Sequence, residues 1–368
     1  MYLMLIDKPV LYFDLDDFVV HILSPELVPF CMRYTFKTDN TPKALMYNIS
    51  LIKNYMSNRV LSLSRENAKQ IYTMFCIPQR NDLETRVKIC EKCKGVSIHD
   101  SYWIKEDNSP LTFKDVNIRI KHFKEIIEIS LLGYNPTITT NQICPELTTH
   151  GLFRKSWVRQ DNKLYLLKSD SHSQNINTKM EVLASKILRC FDNKISCVEY
   201  TGRYRNTKDG KLYVDKCENF VEERYSFVEA WEVMNYCQCT GQNFESVLGF
   251  SKEAASIGVL DFILSNTDRH SQNYGFLMDN ITGKLMCLAP LFDFNCALVA
   301  DVFNRDASDT LSQMFNDGRT LRQIAEYYLP YSRLTLDNDK FNKLKKNNKE
   351  FDYVFDRVLE RCKYLMIV

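Results

Sequence analysis

The chain has 368 residues, 45% of them hydrophobic and 26% charged, with a formal net charge of +2. That length exceeds the roughly 100–200 residues of one domain, so two or three structural units are expected. A charge this near neutrality excludes a protein built mainly to hold polyanions and leaves nucleic acid no more than a local patch.

The thirteen cysteines are scattered and odd in number, which reads as reduced thiols rather than a secreted disulfide framework. The first residues carry no basic leader, and no run approaches the ~18 apolar residues of a membrane span. A cytoplasmic protein is the expectation.

Residues 1–140 mix β-like and helical runs. "VLYFDLDDFVVHIL" reads as strands joined at the Asp-Asp turn, and "SRENAKQIYTMF" as a helix starting at Ser64. The Thr-, Asn- and Pro-rich "NPTITTNQICPELTTHG" predicts a boundary near residue 140. "SWVRQDNKLYLLKS" predicts two strands around Asp161-Asn162. "NTKMEVLASKILRCF" predicts a helix whose stripe is Met180, Leu183, Ala184, Ile187, Leu188 and Phe191. "ISCVEYTGRYRNTKDGKLYVDKCENFV" predicts a hairpin turning at Lys208-Asp209-Gly210.

From about Glu222 the chain reads as mainly helical. "SKEAASIGVLDFILSN" predicts a buried helix with Ser251 as N-cap and Glu253 in its first turn. A hairpin with its turn at Thr282-Gly283 follows. A β-rich unit with one helix, then a helical unit, is the order of a two-lobed α+β protein. The units are 1–140, 141–222 and 223–368.

The chemistry gathers around "LSNTDRHSQNYGF". Asp268 and Asn273 are five residues apart, the spacing of the protein-kinase loop in which the Asp receives the substrate hydroxyl proton and the Asn holds a metal ion. Twenty residues after Asn273, Asp293 in "APLFDFN" follows an apolar strand, where a second metal-binding acid belongs. Upstream, Lys168 ends the strand "LYLLKS" and can meet phosphates as a point charge. Glu181, flanking the apolar stripe of the next helix, can pair with it; a Thr178–Glu181 capping box is the competing reading. Gly151 and Lys155 offer close backbone approach and charge beside the first strand.

"NTDRHSQN" followed by "LAPLFDFN" resembles the HipA-like serine/threonine kinases, a bacterial toxin-kinase family distantly similar to phosphoinositide kinases. The resemblance covers roughly residues 145–310. It implies a bilobal protein-kinase-like fold, with a small β-rich N-lobe, a larger helical C-lobe and an additional N-terminal α/β subdomain, and it implies ATP and Mg2+. Carried over by position, Asp268 is the catalytic base, Asn273 and Asp293 are the metal ligands, and Lys168 contacts ATP phosphates. Thr148, Gly151 and Lys155 match the offsets of the family's phosphate loop, with Thr148 or Thr149 as the autophosphorylated hydroxyl. Glu218 and Phe220, within "KCENF", fall where the hinge holds adenine.

The implied partners are a protein substrate and, by analogy with the family, an antitoxin-like protein. The N-terminal 140 residues depart from the family's own N-terminal subdomain. A lipid or small-molecule kinase sharing the loop, and a nucleotide-binding pseudokinase, are the alternatives. Against the pseudokinase stands the intact set Lys168, Asp268, Asn273 and Asp293. Arg269 and His270 read as braces of the loop, and Cys90-x-x-Cys93 lacks the second pair that a zinc site needs.

Overall fold

The structure, a computed structural model, describes residues 1–121, 124–149, 151–170, 175–192 and 195–367, without the side chains of 251–254. The chain opens with β1 (Tyr2–Leu5), β2 (Lys8–Asp14) and β3 (Val19–Ile22). Next come α1 (Pro42–Asn58), α2 (Ala68–Met74), α3 (Leu83–Lys92), β4 (Tyr102–Lys105), α4 (Phe113–Val116) and α5 (Glu125–Leu132). The strands form an antiparallel sheet of order β3-β2-β1-β4. The Asp-Asp turn joins β2 to β3 as the sequence suggests. The helix anticipated from Ser64 begins later, at Ala68, because Asn67 takes a left-handed φ of 63° and ties its side-chain amide to the Ser130 carbonyl at 2.9 Å.

A second sheet, of order β5-β6-β9-β8, is built from β5 (Arg154–Gln160), β6 (Lys163–Ser169), β8 (Tyr200–Thr207) and β9 (Gly210–Glu218). Asp161 and Asn162 both have positive φ, 51° and 62°, as a two-residue turn matched to strand twist requires. Helix α6 (Ile176–Leu188) packs on this sheet with Met180, Leu183, Ala184, Ile187 and Leu188 buried. Phe191 leaves the predicted stripe. It lies in β7 (Phe191–Asp192), paired with Leu336 of the short β13 (Thr335–Leu336).

The remainder holds β10 (Tyr225–Glu229), α7 (Ala230–Thr240), α8 (Phe250–Ile263), β11 (Gly275–Asp279), β12 (Leu285–Leu288), α9 (Val299–Val302), α10 (Leu321–Tyr328), α11 (Asn338–Lys346) and α12 (Asp352–Tyr364). Strand β10 was not anticipated; it forms the antiparallel sheet β10-β11-β12 with the predicted hairpin. Helix α8 is buried, as its all-round apolar sequence demands. Its backbone starts at Phe250, behind Gly249 at φ 69°, rather than after Ser251, whose side chain, like that of Glu253, lies outside the described residues. Gly258 lets α10 approach: a Cβ there would stand 2.6 Å from Ile324 Cγ2.

The whole is an α+β protein with one main hydrophobic core, running from Leu3 and Phe13 through Met180 and Leu183 to Val354 and Phe355. The N-terminal elements hold on to both later groups. Leu61 N–H donates to the Leu147 carbonyl at 2.7 Å, and Phe227 N–H to the His99 carbonyl at 2.7 Å. Arg33 reaches the Gly283 carbonyl at 2.9 Å.

Candidate active site

Sheet geometry lays the charged groups in a row. In antiparallel pairs, residues directly opposite one another share a face. Lys155 of β5 stands opposite Lys168 of β6, and Lys168 opposite Asp215 of β9. This face borders a cavity of 450 Å³ that reaches from Gly151, Lys155 and Lys168 to Asp268, Asn273 and Asp293.

Lys168 carries two ion pairs. Its Nζ lies 2.7 Å from Glu181 Oε1 and 2.8 Å from Asp293 Oδ1. The capping-box alternative for Glu181 does not hold. The first amides of α6 are satisfied instead by Asp170, which accepts from Asn177 N–H at 2.8 Å and Thr178 N–H at 3.1 Å. Glu181 Oε1 is free to take Lys168 and also Phe294 N–H at 3.1 Å. Burial alone would lower the Lys168 ammonium, but Asp293 and Glu181 outweigh it and raise the group well above the usual lysine range. Burial would likewise raise the Asp293 carboxyl, yet Lys168 and Lys155 take it down to about 2.

Lys155 is different. Among the described residues its ammonium has no ion pair, and burial, with Lys168 and Arg65 nearby, brings it down to about 8 although Asp293 opposes the shift. Like charges opposite each other on a sheet repel, so this end of the row is prepared for an anion. Gly151 makes room for it. At φ 92° it has no Cβ, and one there would meet Lys155 Nζ at 2.3 Å.

Asp268, Asn273 and Asp293 are brought to one wall by the loop after α8 and the turn after β12. Arg269 is the buried brace of both. Its Nε contacts Asp261 Oδ2 at 3.1 Å, and its Nη1 donates to the carbonyls of Asn273 at 2.8 Å and Phe292 at 2.7 Å. His270 lines the cavity and accepts Gln272 N–H at Nδ1, 3.3 Å. Asp293 takes a left-handed φ of 58°, a strain of order 1–3 kcal/mol. Lys168 holds its side chain, and Tyr200 Oη accepts its N–H at 3.1 Å. Asp268 is half-buried, and burial raises its carboxyl against the pull of His270.

The oxygen donors suit a hard cation. Asn273 Nδ2 donates to the Asp268 carbonyl at 2.8 Å, which leaves its Oδ1 as the atom to offer a metal. Asn295 Oδ1, also on the cavity wall, is buried with no hydrogen-bond partner among the described residues. Among the described residues no group of three His, Cys, Asp or Glu converges. Mg2+ held together with phosphates needs only one or two carboxylates, so Asp293 with Asn273 and Asn295 fits it.

Glu218 and Phe220 both border the cavity. The Glu218 carboxylate is paired with Lys163 at 2.9 Å, so the hinge contact expected of Glu218 would fall to its main chain. Phe220 packs against Phe227 and Phe292, with ring centroids 5.7 and 5.5 Å away, and gives that end an apolar wall. Thr148 and Thr149 are buried. Both hydroxyls reach the Pro145 carbonyl, at 3.1 and 2.7 Å, and Thr149 also accepts Trp157 Nε1–H at 2.8 Å. Modification of either requires this turn to leave its place.

Two residues were not singled out from the sequence. Arg65, buried in the N-terminal unit, bonds the carbonyls of Glu146, Thr149 and Lys155 and so supports the loop that carries Gly151. Asn295 is the other; its position two after Asp293 was the available signal. Cys90 and Cys93 are buried on and beside α3, and burial pushes both thiols up to about 12.

No family model matches the chain, and no curated protein matches it. Among solved structures it is similar to the Helicobacter pylori proinflammatory kinase CtkA, at 17% identity and a TM-score of 0.43, over 58% of this chain and 89% of that chain. A likeness of this size leaves function to be argued from the site itself.

Proposed function

We propose that the chain is an ATP- and Mg2+-dependent kinase that transfers the γ-phosphoryl group of ATP to a serine or threonine hydroxyl of a protein, in the manner of HipA-like kinases. One observation carries this reading: Lys168 bridges Glu181 and Asp293 on the wall of the cavity that Asp268 and Asn273 also line. In phosphoryl transfer the protein's work is positioning and charge neutralisation, and each part of that work has a residue here. Lys168 and Lys155 receive the phosphates. Asp268, its carboxyl raised by burial, takes the proton of the attacking hydroxyl. Asp293 and Asn273, with Asn295 beside them, hold Mg2+, which neutralises phosphate charge when bound. Main chain near Glu218 and the Phe220 wall receive the base. A silencing partner protein belongs to this reading through the family resemblance.

The test is labelled ATP with Mg2+, wild type beside Asp268→Asn. Label on this chain or on a lysate protein, falling by about 100-fold or more in the variant, supports the reading. Transfer to lipid alone would make the chain a lipid kinase. Binding of ATP with no transfer would make it a pseudokinase.

A further inference from the structure

Beneath Lys168 lies a carboxyl that the mechanism above does not use. Asp215 is fully buried on β9, directly across from Lys168. Neither of its oxygens has a hydrogen-bond donor among the described residues, and the same is true of Glu181 Oε2. Both carboxyls belong to the surroundings of one lysine: Lys168 faces Asp215 across the strand pair and holds Glu181 Oε1 at 2.7 Å. Three donorless oxygens in one sealed place cannot all belong to anions, because a buried carboxylate without donors is far too costly. One proton between the residues gives two of the three oxygens a partner. Glu181 Oε1 already takes Lys168 and Phe294 N–H, whereas neither Asp215 oxygen has a donor among the described residues.

We infer that Asp215 stands as a neutral carboxylic acid whose proton is donated to Glu181 Oε2, and that this hydrogen bond turns the other Glu181 oxygen toward Lys168. The charged and titratable groups around it are Lys168 on β6, Asp170 after β6, Glu181 on α6, and Tyr213 and Cys217 on β9. Burial, then Glu181, pushes Asp215 far above the usual carboxylate range, and Lys168 only partly opposes this. Asp215 is a positioning residue; its bearing on catalysis rests on the kinase reading.

The proton is tested by infrared spectroscopy of the full chain at neutral pH. Wild type is expected to show the carbonyl stretch of a protonated carboxylic acid, and Asp215→Asn to lose it. No such band in wild type, or a band unchanged in Asp215→Asn, overturns the inference. The positioning role is tested by turnover. Asp215→Asn keeps a donor to Glu181 and is expected to stay within about threefold of wild-type kcat. Asp215→Leu keeps the size without the donor and is expected to lose about 10- to 100-fold in kcat. Equal kcat in Asp215→Leu and wild type would remove the role. If Asp215→Leu fails to fold, a large kcat loss in Asp215→Asn overturns the role and near-wild-type kcat upholds it. If no form transfers phosphate, the kinase reading fails while the infrared band still decides the proton.

Discussion

Lys155 and Lys168 stand opposite each other on adjacent strands, yet among the described residues only Lys168 is held by carboxylates. Two buried ammonium groups side by side repel, and the structure compensates one of them. The other is a charge kept ready for something the cavity receives.

For Lys155 this makes a two-sided prediction. With its amine held at about 8 rather than near 10.5, the unfolded chain binds more protons between those values, so stability contributed here rises as pH climbs from about 8 to about 10.5. Below about 8 the penalty is full. Lys155→Met is therefore expected to stabilise the nucleotide-free protein at neutral pH by a few kcal/mol and to flatten that alkaline rise. The same change is expected to weaken ATP binding by about 10- to 100-fold. Urea denaturation across pH and calorimetric titration with ATP measure the two halves.

Asp293 works in the opposite sense. Its carboxyl is lowered to about 2, so the stability it contributes, roughly 2 kcal/mol, is present above about pH 4 and disappears as pH falls through about 2. Asp293→Ala is expected to remove this acid-side loss and to abolish the preference for Mg-ATP over ATP with a chelator. Binding that still depends on Mg2+ in the variant would take Asp293 out of the metal site.

Arg65 supports the turn before Gly151 from below through three carbonyls. Arg65→Ala is expected to speed hydrogen exchange in residues 145–156 and to raise the ATP KM by about 3- to 10-fold, with kcat little changed. Exchange confined to the N-terminal unit would show that the support runs the other way.

At the far end, Arg361 of α12 pairs with Asp301 of α9 at 2.9 and 2.6 Å and donates to the Ile263 carbonyl at 2.8 Å. Arg361→Leu strands a buried carboxylate and is expected to cost about 3–5 kcal/mol of stability. Where the variant folds, its ATP affinity should match wild type, which denaturant melts and titration together report.

Local chemistry made much of this legible. Asp161-Asn162 and Lys208-Asp209-Gly210 announced their hairpins because turn residues carry their own conformational preference. Helix α8 was visible through its apolar content, and Lys168, Glu181 and Asp293 through their offsets from predicted elements. What stayed hidden depends on distant partners. Strand β10 was not anticipated because "YSFVE" runs straight into α7, and only its pairing with β11 makes it a strand. Asn67 ended the reach of α2 by binding Ser130, 63 residues away. Arg65 and Asp215 have no motif around them; each acquires its place from another part of the chain.

Both walls of the cleft are fastened to the same third body. Arg65 grips the phosphate-loop side, while Arg33, at the Gly283 carbonyl, grips the opposite one. A clamp with both jaws tied to one frame cannot spread without loosening a tie. On the kinase reading, release of spent nucleotide is governed in part by residues that never touch it, and substitutions on that frame are expected to alter how fast the cleft empties before they alter what it does while full.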